Sequence, residues 1–213
     1  MLAKRIIYYI AGYILLSLGV TLTLLSELGA GGWDALVQNL YKMTSITMGI
    51  WLFIIAVVLV LAASMIKRQF PDIKVMFVAF ITGKFIDFWY YIVFDSMEIE
   101  NIMGRLTILL LGLFIIAFGS AMIFVTHLPK NHTETFVFSI VDTFSFQYKS
   151  VKTIADTCAL CLALAFGFIL KDFSNLGLGT ILSTFCMGAV TQSLMPFAGK
   201  GLNYFTGRRE LSQ

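Results

Sequence analysis

Six apolar segments constrain the fold more than any other feature of this sequence. They cover residues 6–25, 47–66, 75–94, 106–125, 153–170 and 178–197. A helix of about 20 apolar residues crosses a hydrocarbon core of about 30 Å, and these segments lack the alternating polar positions of a barrel strand. The sequence therefore predicts an all-α polytopic membrane protein with six transmembrane helices.

The composition agrees with a chain that lies almost wholly in a membrane. Of the 213 residues, 59% are hydrophobic and 13% are charged, and the mean hydropathy is +0.88. Soluble domains are about 45–50% apolar and about 25% charged. We expect one transmembrane domain over residues 1–213 and no cleaved signal peptide, because the first apolar segment is long enough to span. The net charge of +3 gives no reason to invoke nucleic acid.

Residues 26–36 interrupt the apolar pattern with three glycines and two carboxylates. A glycine-rich backbone leaves amide groups uncovered, so at membrane depth it is tolerated only against protein or a water-filled cavity. Two further segments, 33–41 and 133–146, are apolar but too short or too polar to span, and we interpret them as short re-entrant or interfacial helices. If the chain binds a ligand, the site is expected beside residues 26–36.

Basic residues fall mainly on one side of the predicted spans. That side carries Lys4, Arg5, Lys67, Arg68, Lys74, Lys130, Lys149, Lys152, Lys200, Arg208 and Arg209, and the other carries Lys42, Arg105 and Lys171. The acidic Asp95, Glu98 and Glu100 fall on this second side. Under the positive-inside rule, this asymmetry predicts that both termini are cytoplasmic.

The two halves of the chain align when the sequence is displaced by 100 residues. The displacement matches Gly12 with Gly112, Gly19 with Gly119, Leu28 with Leu128, Trp33 with Thr133 and Asp34 with Glu134; five more residues match Gly83 with Gly188 and Asp87 with Gln192. Three spans in each half, about 6–98 and 104–200, predict an inverted repeat with a pseudo-twofold axis in the membrane plane. Many transporters have this arrangement.

Several motifs resemble the YczE group of the YczE/YyaS/YitT bacterial membrane proteins. They are Leu28-Gly-Ala-Gly-Gly-Trp-Asp-Ala-Leu36, Gly83-Lys-Phe-Ile-Asp87, Gly177-Leu-Gly-Thr180 and Gly188-Ala-Val-Thr-Gln192. The resemblance implies a multi-pass protein of the bacterial cell membrane. It also suggests a relation to the substrate-binding S components of energy-coupling-factor vitamin importers, with a pyridoxine-like solute and with transmembrane coupling and ATPase subunits as partners.

The sequence departs from the family pattern in its second half. Residues 128–134 replace the usual second Leu-Gly-x-x-Pro-x-Asp theme, which is consistent with a different ligand.

Five residues are the predicted ligand-binding groups: Trp33, Asp34, Asn39, Asp87 and Glu134. A carboxylate such as Asp34 can bind a ligand hydroxyl or cation, although an acidic residue at a helix start also serves as a cap. A carboxylate within a span, such as Asp87, should face protein or water. The alternative is that Asp87 pairs with Lys84 on its own helix or lies close to the outer interface.

Metal and redox interpretations of the sequence are weaker. His127 and His132 lie near Glu134, and two imidazoles with a carboxylate could bind zinc, but no third strong ligand follows at a familiar spacing. Cys158 and Cys161 lie within an apolar segment, where thiols behave as small hydrophobes. Asp156 follows Lys152 by four residues, so an ion pair on one helix is expected. We predict no metal and no cofactor.

No catalytic motif is recognisable in the sequence. It has no Gly-x-Ser-x-Gly elbow, no His-Glu-x-x-His and no Walker loop, so we do not expect an enzyme. The favoured function is binding and transport of a small organic solute, and the resemblance implies a vitamin-uptake subunit. The alternative is a membrane regulator or scaffold that does not transport and acts through a protein partner.

Overall fold

The computed structural model describes residues 2–44, 46–95, 97, 99–173 and 176–207, without the side chain of Lys149. Within these ranges the chain forms eight α-helices. They are α1 (Leu2–Leu25), α2 (Gly32–Met43), α3 (Met48–Lys67), α4 (Ile73–Phe88), α5 (Ile102–Val125), α6 (His132–Phe144), α7 (Tyr148–Leu170) and α8 (Leu178–Thr206). A π-helical turn, Trp89–Val93, continues α4. The all-α prediction is therefore confirmed.

Six of these helices are long and apolar enough to cross a membrane. The candidate spans are Leu2–Leu25, Met48–Lys67, Ile73–Val93, Ile102–Val125, Ser150–Leu170 and Leu178–Thr206. Each corresponds to one predicted segment. The last contains Pro196 and continues nine residues beyond the predicted end at 197. Of the residues that carried the charge argument, Glu98, Arg208 and Arg209 lie outside the described ranges.

Local sequence explains where several of the helices begin. The side chain of Thr47 accepts a hydrogen bond from the Ile50 amide at the start of α3, and Asp72 accepts one from Lys74 at the start of α4. Asn101 and Asn131 cap α5 and α6 in the same way. Such caps satisfy backbone amides that have no partner within the helix.

Helices α1 and α5 run antiparallel and cross at glycines. A methyl group added to Gly12 would lie 3.1 Å from the carbonyl oxygen of Gly119, and one added to Gly19 would lie 2.7 Å from that of Gly112. Residue numbers rise along one helix as they fall along the other, which defines the antiparallel arrangement. Small residues permit such close backbone approach between membrane helices.

The two short helices, α2 and α6, pack beside spans of the opposite half of the chain. The last turn of α2 lies at the end of α7, where Lys42 Nζ is 2.5 Å from Asp172 Oδ2, and the last turn of α6 lies at the end of α3, where Asp142 Oδ2 is 2.7 Å from Lys67 Nζ. A methyl group on Gly32 would be 3.1 Å from the Asp156 carbonyl oxygen. We call α2 and α6 the half-helices.

The depth of α2 follows from its contacts with α7. The first turn of α2 faces Asp156 and Leu160, whereas its last turn faces Asp172. At a rise of about 1.5 Å per residue, Leu160 lies about 15 Å from the end of α7 at Leu170. Helix α2 therefore begins near the middle of that span and ends at its boundary.

Candidate functional site

The first turns of both half-helices meet at α7 and form a polar cluster. The indole Nε1 of Trp33 donates a hydrogen bond to Asp156 Oδ1 at 3.0 Å, and Tyr148 OH donates one to Glu134 Oε2 at 2.6 Å. Lys152 Nζ lies 3.3 Å from both Glu134 Oε1 and Asp156 Oδ1. We define the central cluster as Trp33, Asp34, Glu134, Tyr148, Lys152 and Asp156. It contains three of the five predicted ligand-binding residues.

The α7 side of the cluster is one face of that helix. Tyr148, Lys152 and Asp156 follow one another at intervals of four residues, so their side chains lie above one another. The Lys152–Asp156 ion pair was predicted, but the contribution of this face to a candidate site was missed. Polar residues at this spacing near the start of a membrane span are the signal that could have identified it.

Trp33 joins three helices in the cluster. Its ring packs against Val137 of α6 and against Val151 and Ala155 of α7, while its N–H is donated to Asp156. Because the ring is packed on apolar side chains and the N–H is already satisfied, Trp33 positions the half-helices relative to α7.

Asp34 is the carboxylate of this cluster that the protein leaves without a hydrogen bond. Across the described ranges no hydrogen-bond donor contacts the Asp34 carboxylate. Burial raises the pKa of Asp34 to about 6; the charge of Lys152 opposes this shift and that of Asp156 adds to it. The Asp34 carboxyl therefore titrates close to neutral pH.

His132, at the start of α6, is neutral at neutral pH. Burial lowers its pKa to about 4, and the charge of Lys152 contributes in the same direction. His132 therefore adds no positive charge to the surroundings of the cluster. Its neighbour Asn131 caps α6 by accepting a hydrogen bond from the Glu134 amide at 2.8 Å, which fixes the position of Glu134.

Asn39 lies deeper along α2, away from the carboxylates. It is completely buried, and its Nδ2 donates a hydrogen bond to the Ala163 carbonyl oxygen of α7 at 2.7 Å. This bond ties α2 to α7 between the central cluster and the Lys42–Asp172 pair. The contact places Asn39 in the helix interface.

Asp87 lies apart from the central cluster and holds the start of α3. Its Oδ1 accepts a hydrogen bond from the Gly49 amide at 2.8 Å, and its Oδ2 accepts one from Thr47 Oγ1 at 2.9 Å. Lys84, the predicted partner on the same helix, instead lies over the Phe80 ring at 5.7 Å from its centroid. Asp87 thus satisfies a helix N-terminus on a neighbouring span, an interaction that sequence spacing could not identify.

Replacing Asp87 with alanine is expected to destabilise the fold by about 1–3 kcal/mol, because a buried amide at the α3 N-terminus loses its acceptor. The melting temperature in detergent measures this effect. Asp95→Asn is the control, since Asp95 is exposed. Solute binding by the folded variant should be unchanged, and an Asp87→Ala protein that melts like the control but loses binding would contradict this structural role.

The remaining predicted metal and redox candidates lie outside the central cluster or on the helix surface. His127 occupies the turn after α5 with a φ of 54°. The described residues contain no group of three or more His, Cys, Asp or Glu side chains arranged to hold a metal ion. Cys158 and Cys161 are free and exposed on α7.

Two cavities lie at the end of the protein where α3 and α6 meet. One, of about 540 Å³, is lined by Ile66, Lys67, Arg68, Gln69, Asp142, Thr143 and Phe144. The other, of about 300 Å³, is lined by Lys67, Asp72, Val75, Pro129, Lys130, Thr135, Phe138 and Asp142. The second cavity follows α6 from Asp142 to Thr135, the neighbour of Glu134, but its lining does not include the central cluster.

A family model decides to which group of proteins this chain is related. The model of a family of unknown function, DUF6198, matches residues 3–196. The chain belongs to this family. No solved structure gives a significant match.

Two Bacillus subtilis (strain 168) proteins are similar to this DUF6198 member over nearly their whole length. The uncharacterized protein YyaS is 30% identical over 186 residues, which cover 87% of this chain and 89% of YyaS. The uncharacterized membrane protein YczE is 27% identical over 209 residues, which cover 98% of this chain and 93% of YczE. The resemblance to YczE and YyaS read from the motifs is therefore confirmed, and the chain is a multi-pass membrane protein with bacterial homologues.

Proposed function

We propose that this protein binds a small polar solute at the central cluster and carries it across the membrane. The observation that carries the proposal is the meeting of two half-helix N-termini, each with a carboxylate in its first turn, at a charged face of a third helix. Ionisable groups within a membrane domain are costly and characteristically mark solute or proton pathways. Broken helices that meet at a polar site are a recurrent feature of transporters.

An inverted repeat is the second part of the proposal, and the helix boundaries support it. Helices α1 and α5 begin 100 residues apart and end 100 residues apart. Helices α2 and α6 also begin 100 residues apart, and so do α3 and α7. Glu27 and His127, at equivalent positions after the first helix of each half, have φ values of 51° and 54°. The two halves therefore share an unusual turn as well as their helices.

Reciprocal contacts across the α1–α5 crossing support a pseudo-twofold axis. Gly12 approaches Gly119 and Gly19 approaches Gly112, so each contact is the counterpart of the other under the displacement. Arg5 of α1 donates a hydrogen bond to the Thr126 carbonyl oxygen after α5, and Arg105 of α5 pairs with Glu27, the residue after the equivalent of Thr126. A contact between i and j repeated between their equivalents is the property of a twofold interface.

Both termini are proposed to be cytoplasmic. Arg5 meets the segment after α5, and Lys67 pairs with Asp142 at the end of α6, on the side rich in basic residues. Lys42 and Arg105 lie on the other side. The cavity along α6 then opens toward the cytoplasm, and it is the proposed route by which the solute reaches or leaves Glu134.

The resemblance also suggests a candidate solute and candidate partner subunits that would supply the energy for transport. A pyridoxine-like vitamin is one solute to test, and the coupling and ATPase subunits of an importer are partners to test by copurification. The carrier proposal does not depend on either of them.

Purified full-length protein in detergent is expected to melt at a higher temperature with a bound solute, because a ligand that binds only the folded state stabilises it. The panel should contain B6 vitamers, other vitamins, amino acids and amines. A stabilising solute should also enter proteoliposomes, and Glu134→Gln should weaken both effects. Asp95→Asn, at an exposed position, is the matched control. A panel that shifts no melting temperature, with no uptake, would contradict the proposal.

A second candidate function is association with another membrane protein. The observation favouring it is that α8, an apolar helix, carries the exposed polar side chains of Thr184, Gln192 and Ser193. Amide and hydroxyl groups on a membrane helix commonly bond to another helix. A stable protein partner copurified from membranes, together with an inactive solute panel, would favour this function over transport.

A further inference from the structure

The charges of the described side chains around the central cluster do not balance, and this imbalance indicates which charge a ligand would carry there. Asp34 of α2, Glu134 of α6 and Asp156 of α7 contribute three carboxylates, whereas Lys152 is their one cation among the described side chains. His132 is neutral at neutral pH, Tyr148 is engaged with Glu134, and Ser183 of α8 adds only a hydroxyl. A helix N-terminus is equivalent to about half a positive charge, so the two half-helices together supply about one. Among the described side chains, the negative charge of the cluster therefore exceeds the positive charge by about one.

The positive charge of a ligand would lie beside Asp34. Lys152 is held by Glu134 and Asp156 at 3.3 Å each, and Asp156 also accepts the Trp33 N–H, so both of these carboxylates are already engaged. Asp34 has no hydrogen-bond donor in the described part of the chain. Asp34 is only partly buried. Its carboxylate and the Ser183 hydroxyl lie on either side of Gly31, since a methyl group added to Gly31 would be 3.1 Å from Asp34 Oδ2 and 3.8 Å from Ser183 Oγ.

An anionic ligand does not fit this arrangement. The positive ends of two helices often bind an anionic group, but here each first turn already contains a carboxylate, Asp34 or Glu134. A second negative group would be repelled by those carboxylates and would find Lys152 already paired. A cation can pair with the Asp34 carboxylate, which has no donor among the described residues.

We infer that the transported solute is a small organic cation with one positive charge, that Asp34 binds this charge, and that a proton replaces the solute on Asp34. The inference rests on the proposed function and names its substrate class. Because the same carboxylate accepts either a proton or the cation, solute binding releases a proton when Asp34 is initially protonated. Burial raises the pKa of Asp34 to about 6, so the exchange falls within the physiological pH range.

The test uses a series of probes matched in shape and different in charge. Benzylammonium, methylammonium and choline are the cations, benzyl alcohol is the neutral probe, and benzoate and acetate are the anions. Melting temperatures of the full-length protein are measured with each probe at about pH 5 and about pH 8, on either side of the Asp34 pKa. We expect at least one cation to raise the melting temperature by about 2–5 °C at the higher pH and by much less at the lower pH.

Asp34→Asn is the decisive variant, and it is expected to fold because it removes an unpaired charge with little change of shape. It should lose the cation effect at both pH values, Asp34→Glu should retain part of it, and Asp95→Asn should behave as the wild type. Stabilisation by the neutral or anionic probes alone would overturn the inference while leaving transport intact. A cation effect that persists in Asp34→Asn, or that is equal at both pH values, would also overturn it. If no probe of any charge binds and the wider solute panel is also inactive, both proposals fail.

Discussion

Replacing Lys152 with methionine is expected to destabilise the protein by about 3 kcal/mol, one of the two largest effects of any single substitution proposed for this protein. The ammonium group lies between Glu134 and Asp156, and Glu134 has a side-chain exposure of only 8%. Without Lys152, the carboxylates of Asp34, Glu134 and Asp156 lie close together with no cation between them, and Glu134 is buried. Breaking a buried ion pair by removing one partner costs more than the pair itself contributes, because the remaining charge is uncompensated.

The measurement is the melting temperature in detergent, with Lys84→Met as the control. Lys84 is exposed and lies over the Phe80 ring, so its loss should cost less than about 1 kcal/mol. Adding Glu134→Gln to Lys152→Met should restore part of the stability, since the double variant removes one of the unpaired charges. A Lys152→Met protein as stable as the wild type would show that this lysine does not hold the cluster together.

Replacing Gly19 with alanine is expected to destabilise the protein by about 3 kcal/mol or more, because the α1–α5 crossing has no room for a methyl group. The new Cβ would lie 2.7 Å from both the Gly112 carbonyl oxygen and the Ile116 amide nitrogen. These are backbone atoms of a helix, which cannot move aside without separating the two helices. The yield of folded protein and its melting temperature in detergent should both fall.

Gly188→Ala provides the matched control for this substitution. Gly188 also lies inside a membrane helix, but a methyl group there would meet no atom within 4 Å. The replacement should be neutral or should stabilise α8 by about 0.5–1 kcal/mol, since alanine has the higher helix propensity. Equal losses at Gly19 and Gly188 would contradict the close crossing, because they would indicate a general intolerance of substitution.

The candidate site shows how far the sequence predicts the position of a polar residue. Trp33, Asp34 and Glu134 were predicted to lie together because carboxylates beside glycine-rich, irregular backbone are costly in a membrane unless protein surrounds them, and their role in ligand binding stays a prediction. Asp87 met the same criterion, yet it bonds to Thr47 and Gly49 on another span. A polar residue that is costly to place in a membrane must have a polar partner. The spacing of residues in the sequence does not show whether that partner is the N-terminus of another helix or a ligand.

The sequence by itself determined the membrane class, the six spans, the two short helices and the family, because these depend on composition, segment length and motifs along one continuous chain. Only the tertiary structure decided that α2 and α6 pack on spans of the opposite half, that Lys152 also pairs with Glu134 of another helix, and that Asp34 has no donor among the described residues. Each of these contacts joins residues on different elements or depends on side-chain direction. Apolar periodicity is nearly uniform along a membrane helix, so it does not specify which faces meet.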